Sequence, residues 1–161
     1  MRCRPAVSVK NRYLLALLFA MSVMIASPSQ AMTTKINLKA IETIESGGNA
    51  KAFNFRTKAT GLYQITPICL ADWNQHHPSL YYGMKDLWNP EINKAIADWY
   101  LNERIPQMLK HYGLPETEDN VLIAYNWGIG NLKHYLEGER TMPLETANYL
   151  KKYRRLNGDP R

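Results

Sequence analysis

Cysteine is almost absent from this 161-residue sequence, which contains only Cys3 and Cys69. Because Cys3 lies in a segment that we expect to be removed, no internal disulfide is available and the fold must be held by its core. Cys69 lacks a neighbouring base that would make it a nucleophile, and we interpret it as a small buried apolar residue. Metal ligands are equally scarce, since His76 and His77 diverge on a helix and no further ligand follows at workable spacing. Neither a disulfide scaffold nor a metal site is predicted.

Acidic residues are missing from residues 1–31, where four basic residues precede an apolar run at 14–26. The run is well short of the roughly 20 residues that a membrane-spanning helix needs. Small residues stand at the −3 and −1 positions of a cut after Ala31. This pattern predicts a signal peptide over 1–31 and a periplasmic or secreted domain over 32–161. An uncleaved anchor is the alternative, and no cysteine follows the run, which argues against a lipoprotein.

A strong basic excess is also missing from the expected mature domain. The whole chain carries a formal charge of +6, but beyond residue 31 there are 16 basic and 14 acidic residues. We interpret this balance as a mixed solvated surface and predict no nucleic-acid partner. Strand-like alternation, internal repeats and low-complexity tracts are nearly absent, whereas apolar residues recur at helical spacing. The sequence therefore predicts one mainly α-helical domain.

Helix boundaries are marked by a few local signals. Thr66 and Asn89 each precede a proline, the pattern of an N-cap followed by the first helical position. Pro106 lies inside a continuing helical pattern and is expected to kink or break it, and Pro143 opens a last helix. The aromatic stretch 74–88 is predicted to be a long connection.

Gly128 and Gly130 follow a short buried helix that ends near Asn126. No strand precedes them, a third glycine is absent and no Lys-Ser/Thr pair follows, so we exclude a nucleotide-binding loop and predict no cofactor. Both glycines are instead interpreted as turns that bring the backbone close to a ligand.

One carboxylate is aimed along an apolar helix face. At about 100° per residue, the mean direction of Leu38, Ile41 and Ile44 lies within about 40° of Glu45 and about 100° from Glu42. Burial raises the pKa of a carboxylic acid, and an acid that keeps its proton near neutral pH suits proton donation to a leaving group. The alternative is that Glu45 is only a polar residue at a fraying helix end.

Three motifs then fall in one order along the chain. Glu45-Ser46 followed by Gly-Leu-Tyr-Gln-Ile at 61–65, Ala-Tyr-Asn-Trp-Gly-Ile-Gly at 124–130, and Glu-Thr-x-x-Tyr at 145–149 resemble the signatures of lytic transglycosylases with a soluble-transglycosylase (SLT), lysozyme-like domain. The resemblance covers about residues 38–153. It departs from the family pattern at Ala50, Asn54 and Tyr63, and in a loop that is about one residue longer, which puts fine specificity in question more than the acid.

The resemblance implies cleavage of the β-1,4 bond between N-acetylmuramic acid and N-acetylglucosamine in peptidoglycan, leaving a 1,6-anhydro end. It implies Glu45 as the catalytic acid and then base, without a cofactor or metal. The substrate-binding residues that it implies are Ser46, Gln64, Tyr125, Asn126 and Tyr149. Most glycosidases use two carboxylates, whereas these motifs supply one. One acid is enough when the substrate's acetamide shields the cation and its own hydroxyl attacks.

Other interpretations remain open from the sequence. A hydrolytic lysozyme would need a second carboxylate, for which Glu42, Asp72 and Asp86 are candidates. The third interpretation is a wall-binding module without catalysis. Trp127 is the best candidate for an aromatic side chain on which a sugar ring stacks. The small size is typical of members that serve a secretion, conjugation or pilus machine, or a phage, and we expect a monomer.

Overall fold

The computed structural model describes residues 35–158, and the predicted signal peptide lies outside them. Within the described residues the chain is mainly α-helical and contains no strand, as the sequence predicted. No helix in this range is long and apolar enough to cross a membrane. The seven α-helices are α1 (Leu38–Ser46), α2 (Pro67–His76), α3 (Pro90–Trp99), α4 (Ile105–His111), α5 (Glu118–Trp127), α6 (Ile129–Leu136) and α7 (Leu144–Leu156).

Side-chain caps begin four of these helices. Thr66 accepts a hydrogen bond from the Cys69 amide, and Asn89 accepts one from the Glu91 amide, with a proline next in both cases. These two predicted helix starts are confirmed. Asn37 caps α1 and Thr117 caps α5 in the same way, each side chain accepting from amides of the first turn that have no partner within the helix.

The structure corrects two predictions about the connections. Gly130 does not form a turn, because it lies in the first turn of α6, a helix that the sequence analysis missed. Only Gly128, with φ +92°, makes the break between α5 and α6. The stretch 74–88 is not a continuous loop, since α2 runs on to His76 and a 3-10 helix occupies Met84–Trp88.

The prediction for Pro106 is met only in part. Helical structure continues from α3 to the end of α4, but it passes through a π-helical turn at Tyr100–Arg104. Pro106 follows this turn, in the first turn of α4. A proline has no amide hydrogen and its ring crowds the carbonyl four residues earlier. A wider turn just before it relieves that crowding, so the helix changes type instead of ending.

The core is centred on α5, where four consecutive residues from Val121 to Ala124 are buried. Helices α4, α6 and α7 pack against α5, and α1 packs against α7 and α3. Buried leucines and isoleucines from the π-helical turn and α4 complete the core, including Leu101, Ile105 and Leu109. The C-terminal end of α1 is thereby held close to α5 and α7.

A buried asparagine on α3 fixes the turn between α1 and α2. Asn93 is fully buried, and its Nδ2 donates to the carbonyls of Thr60 and Leu87 at 2.8 and 2.9 Å while its Oδ1 accepts from the Tyr63 amide at 2.9 Å. A Cβ on Gly61 would lie 2.3 Å from Asn93 Nδ2, and φ at this position is +82°, so only glycine fits.

Candidate active site

The turn that Asn93 holds forms one wall of a cavity of about 350 Å³. The segment before it folds back through isolated antiparallel bridges that join Thr60 to Phe53 and to Ile65. The ends of α1 and α5 and the start of α2 close the other sides. The cavity is lined by Glu45, Asn54, Thr57, Ala59, Gln64, Ile65, Thr66, Ile68, Cys69, Tyr100, Ala124, Tyr125, Asn126 and Gly128.

Glu45 lies at the last turn of α1 and is half-buried at the edge of this cavity. Burial raises the pKa of its carboxyl group to about 7. The hydrogen bond from the Tyr149 hydroxyl acts in the opposite direction, and the negative charge of Glu145 adds a smaller upward contribution. The helix period therefore predicted the direction of this side chain and of its pKa correctly, and an acid poised near neutral pH can both give and take a proton.

Two tyrosine hydroxyl groups, one from α7 and one from α5, hold the carboxyl group and the neighbouring turn respectively. The Tyr149 hydroxyl donates to Glu45 Oε1 at 2.9 Å, across 104 residues of sequence. The Tyr125 hydroxyl donates to the carbonyl of Tyr63 at 2.7 Å, which ties α5 to the turn between α1 and α2. Burial, then the charge of Glu45, raises the pKa of both Tyr125 and Tyr149 well above its ordinary value. Both hydroxyl groups therefore remain protonated donors at neutral pH.

Gln64 and Asn126 also line the cavity, and each is oriented by a hydrogen bond to the protein. Gln64 has a left-handed backbone with φ +50°, and its Nε2 donates to the carbonyls of Gly61 at 3.0 Å and Ala52 at 3.3 Å. Its Oε1 is the atom left to accept from a ligand. Asn126 Oδ1 accepts from Thr146 Oγ1 at 2.9 Å, which leaves Nδ2 to donate. The site thus offers an amide acceptor and an amide donor.

The structure does not bring every predicted site residue to the cavity. Ser46 is absent from the lining, and its Oγ donates to the carbonyl of Glu42 at 3.3 Å on the same helix. Tyr149 is absent from the lining as well; it is buried, and it reaches the site through its hydrogen bond to Glu45. Trp127 is also absent from the lining and is half-buried against the core. The cavity adds the polar residues Asn54 and Tyr100, which the sequence analysis did not assign to the site. The one sequence signal for Asn54 was that it departs from the residue common at this position in the family. No local sequence feature indicates Tyr100 as a site residue.

The three other carboxylates considered for a two-acid mechanism are absent from the cavity lining. Glu42 pairs with Lys39 at 2.6 Å, and Asp72 pairs with Arg104 at 2.8 Å. Asp86 accepts from the Gly83 amide at 2.8 Å at the start of the 3-10 helix. Each is occupied elsewhere, so Glu45 is the single carboxylate among the lining residues.

Neither a thiol nor a metal cluster supplies other chemistry in this cavity. Burial raises the pKa of the Cys69 thiol, so it stays protonated, and it behaves as the apolar residue that was predicted. Over residues 35–158, one group of side chains is close enough together to hold a metal ion: His134, Glu137 and Glu139. All three are exposed at the end of α6, and none lines the cavity.

A second depression, of about 500 Å³, lies on another face of α2, between that helix and the stretch 81–84. Its lining contains no carboxylate, histidine or cysteine. It therefore offers no group that exchanges protons near neutral pH, in contrast to the cavity that contains Glu45.

Comparison with known proteins adds one match. The family model described as Transglycosylase SLT domain matches residues 23–148 of the chain. The match begins inside the predicted signal peptide and ends one residue before Tyr149. No curated protein and no solved structure matches the chain.

Proposed function

The chain belongs to the transglycosylase SLT domain family, and from that premise we propose that it is a peptidoglycan lytic transglycosylase. In this proposal it cleaves the β-1,4 bond between N-acetylmuramic acid and N-acetylglucosamine and leaves a 1,6-anhydro-N-acetylmuramic acid end. The observation that carries the proposal is the single half-buried carboxyl group in the cavity, Glu45, whose pKa is raised to about 7.

In the first step, protonated Glu45 gives its proton to the glycosidic oxygen, and the bond from that oxygen to C1 of the muramyl residue breaks. The acetamide of the same sugar shields the cation that forms at C1. Asn126 Nδ2 is the donor that we assign to hold a polar group of the substrate near this centre. Its side chain is already oriented by the contact of Oδ1 with Thr146, so little ordering is required when the substrate binds. The single hydroxyl hydrogen of Tyr149 is donated to Glu45, and Tyr149 therefore acts through that carboxyl group.

In the second step, the muramyl C6 hydroxyl attacks C1 of its own sugar. Glu45, now a carboxylate, takes the proton from that hydroxyl and returns to its starting state. No water is consumed, and the attack is intramolecular, which provides the advantage of proximity. The hydrogen bond from Tyr149 stabilises the carboxylate between the two steps.

The hydrogen bonds and ion pairs of the other candidate carboxylates favour a lyase over a hydrolase. An inverting or retaining hydrolase places its second carboxylate about 5 to 9.5 Å from the first, across the scissile bond. Glu42, Asp72 and Asp86 are each held by other partners and are absent from the cavity lining. Mass spectrometry of digested peptidoglycan is the test of the product. Anhydro-muropeptides support the proposal, and muropeptides with reducing ends contradict it and favour a lysozyme.

The role of Glu45 is tested with Glu45→Gln, which keeps the size of the side chain but removes the transferable proton. We expect this variant to produce no clearing on a cell-wall zymogram while its circular dichroism stays that of the parent. Glu103→Gln, at an exposed position of the π-helical turn, is the matched control and should clear normally. If the Glu45 variant clears as well as the parent, the assignment is wrong. If the parent itself binds walls without cleaving them, the chain is a wall-binding module.

We further propose that the protein acts in the periplasm or outside the cell after a cut following Ala31, and that it works as a monomer. We also propose that it opens the wall locally at a secretion, conjugation or pilus machine. N-terminal sequencing of exported protein tests the first point: a mature chain that begins at Met32 supports it, and a chain that retains residues 1–31 contradicts it.

A further inference from the structure

Residues 49–60, which we call the basic loop, carry three cations and no acid. Lys51, Arg56 and Lys58 are all exposed, and none of them is paired with a carboxylate within the described residues. This is a dense positive charge for a domain whose basic and acidic residues nearly balance. Two of the cations are instead placed over aromatic rings, Lys51 Nζ at 5.8 Å from the Trp88 ring and Lys58 Nζ at 5.8 Å from a phenylalanine ring.

The tip of the basic loop is ordered by its own hydrogen bonds. Asn54 N donates to the carbonyl of Ala59 at 2.9 Å, and Lys58 N donates to the carbonyl of Asn54 at 2.7 Å. The Asn54 side chain accepts from the amides of Arg56 and Thr57 at 3.0 and 3.1 Å. Lys58 has φ +61°, a strained conformation for a lysine, which these bonds maintain. The three cations are therefore carried by a turn whose backbone conformation is fixed by hydrogen bonds.

The basic loop is also one wall of the candidate active site. Asn54, Thr57 and Ala59 line the cavity that contains Glu45, whereas the three cations stand outside the lining. Phe55, beside Arg56, is 80% exposed and packs edge-on against Phe53 at 5.0 Å between ring centroids. A ligand that fills the cavity and extends past this wall would thus meet unpaired positive charge next to an exposed apolar ring.

The glycan backbone of peptidoglycan has no charge to match this surface, but its stem peptides do. Each stem is joined to the lactyl group of N-acetylmuramic acid and carries free carboxylates together with alanine methyl groups. We propose that the basic loop recognises the anionic stem peptide of a muramyl residue bound in the cavity, so that the enzyme prefers strands that still carry their stems. This inference rests on the function proposed above and specifies its substrate.

The test compares intact glycan strands with denuded strands, prepared by removing the stems with an amidase that cuts at the lactyl group. We expect the parent to cleave intact strands with a kcat/KM about tenfold higher than denuded strands, since three exposed ion pairs of ordinary strength supply about that factor. The preference should shrink in 0.5 M salt, because the contacts are solvent-exposed.

The triple variant Lys51→Gln/Arg56→Gln/Lys58→Gln should lose most of this preference and keep the parent's activity on denuded strands. That retained activity also shows that the variant is folded. The matched control is Lys151→Gln/Lys152→Gln/Arg155→Gln, which removes the same charge from exposed positions near the far end of α7. The control should behave as the parent on both substrates.

The outcomes separate the two proposals. If the parent cleaves neither substrate, the proposed function fails. If it cleaves both equally well, the proposed function stands and the stem-recognition proposal is overturned. A triple variant that loses activity equally on both substrates also overturns it, because the cations would then act on the glycan itself. A control variant that loses the preference as strongly as the triple variant overturns it too, because the preference would then depend on the net charge of the protein and not on the basic loop.

Discussion

At the scale of single residues, the chemistry depends on two opposing influences on Glu45. Burial raises the pKa of its carboxyl group to about 7, and the hydrogen bond from Tyr149 limits that rise. In the proposed mechanism the free enzyme must hold the proton before the first step. We therefore expect kcat/KM to fall as pH rises through about 7, with an alkaline limb that a pH profile on soluble muropeptides would reveal. An alkaline limb that begins only above pH 9 would contradict the assignment of Glu45 as the acid.

Tyr149→Phe separates these influences. The change removes the donor that stabilises the Glu45 carboxylate, so the pKa of Glu45 should rise and the alkaline limb should move to higher pH. The second step loses support for the same carboxylate, and we expect kcat to fall about fivefold, the equivalent of roughly 1 kcal/mol. Tyr153→Phe on the same helix is the control and should leave the limb in place. An unchanged limb in the Tyr149 variant would contradict the proposed role of its hydroxyl group.

The raised pKa of Glu45 also means that this carboxyl group destabilises the folded protein at neutral and alkaline pH. The unfolded chain ionises this group above its ordinary pKa of 4.5, whereas the folded protein keeps the proton until about pH 7. The folded state therefore binds more protons in this window, and its free energy of unfolding declines as pH rises from about 4.5 to 7. Glu45→Gln removes that dependence, and its stabilising effect at pH 8 should exceed its effect at pH 4 by roughly 1 to 3 kcal/mol.

Urea unfolding of both proteins at the two pH values measures this difference. Exposed Glu103→Gln serves again as the matched control and should show no comparable change between pH 4 and pH 8. Equal effects of Glu45→Gln at both pH values would show that the carboxyl group is solvated in the folded protein.

At the scale of elements, the sequence predicted those helix boundaries that are set by interactions within a single turn. The starts of α2 and α3 were found because an N-cap and a proline act within one turn. α6 was missed because it begins directly after Gly128, without a side-chain cap, and contains Gly130. The change of helix type before Pro106 was also missed, since a kink, a break and a π-helical turn all relieve the same crowding.

The candidate site also has features that a local sequence pattern predicts and features that depend on contacts between distant parts of the chain. The direction of Glu45 was readable from the period of α1, because the apolar positions and the acid share one short helix. Its contact with Tyr149 spans 104 residues, and the contacts of Asn93 with the turn span 30 and 33, which no local pattern encodes. The family resemblance, not periodicity, pointed to Tyr149. It equally pointed to Ser46. Both residues lie outside the cavity lining, but the Tyr149 hydroxyl contacts the carboxyl group of Glu45, whereas the Ser46 hydroxyl donates to the Glu42 carbonyl.

Asn93 is the element-scale junction that we expect to be most sensitive. It joins α3 to the turn before α2 through two hydrogen bonds and to the 3-10 helix at Leu87 through a third, all buried. Asn93→Ala leaves the amide of Tyr63 and the carbonyls of Thr60 and Leu87 without this partner, and should cost about 3 to 5 kcal/mol. Asn89→Ala is the matched control on the same helix. It removes an exposed cap and should cost about 1 kcal/mol. Urea unfolding measures both, and similar losses would contradict the role given to Asn93.

At the scale of the whole molecule, the first and last described helices close the fold upon each other. The Tyr153 hydroxyl accepts from the Asn37 amide at 2.9 Å and donates to Glu118 Oε1 at 3.1 Å, so one fully buried side chain joins α1, α5 and α7. The same pairing of α1 with α7 brings Tyr149 to Glu45 at the other end of α1, about 12 Å along the helix. Closure of the chain and assembly of the site therefore use one interface, but different ends of it.

This separation predicts that Tyr153→Phe will affect stability without affecting chemistry. The variant leaves the Asn37 amide and the Glu118 carboxylate without their buried partner, which should cost about 2 kcal/mol with little change in the urea m value. Its activity per folded molecule should equal that of the parent, because no group near Glu45 changes. Tyr135→Phe, at an exposed position of α6, is the control and should change neither quantity. A variant that loses activity beyond its loss of folded protein would show that strain at the chain-closing bond is transmitted along α1 to the acid, so that the two ends of the interface act as one.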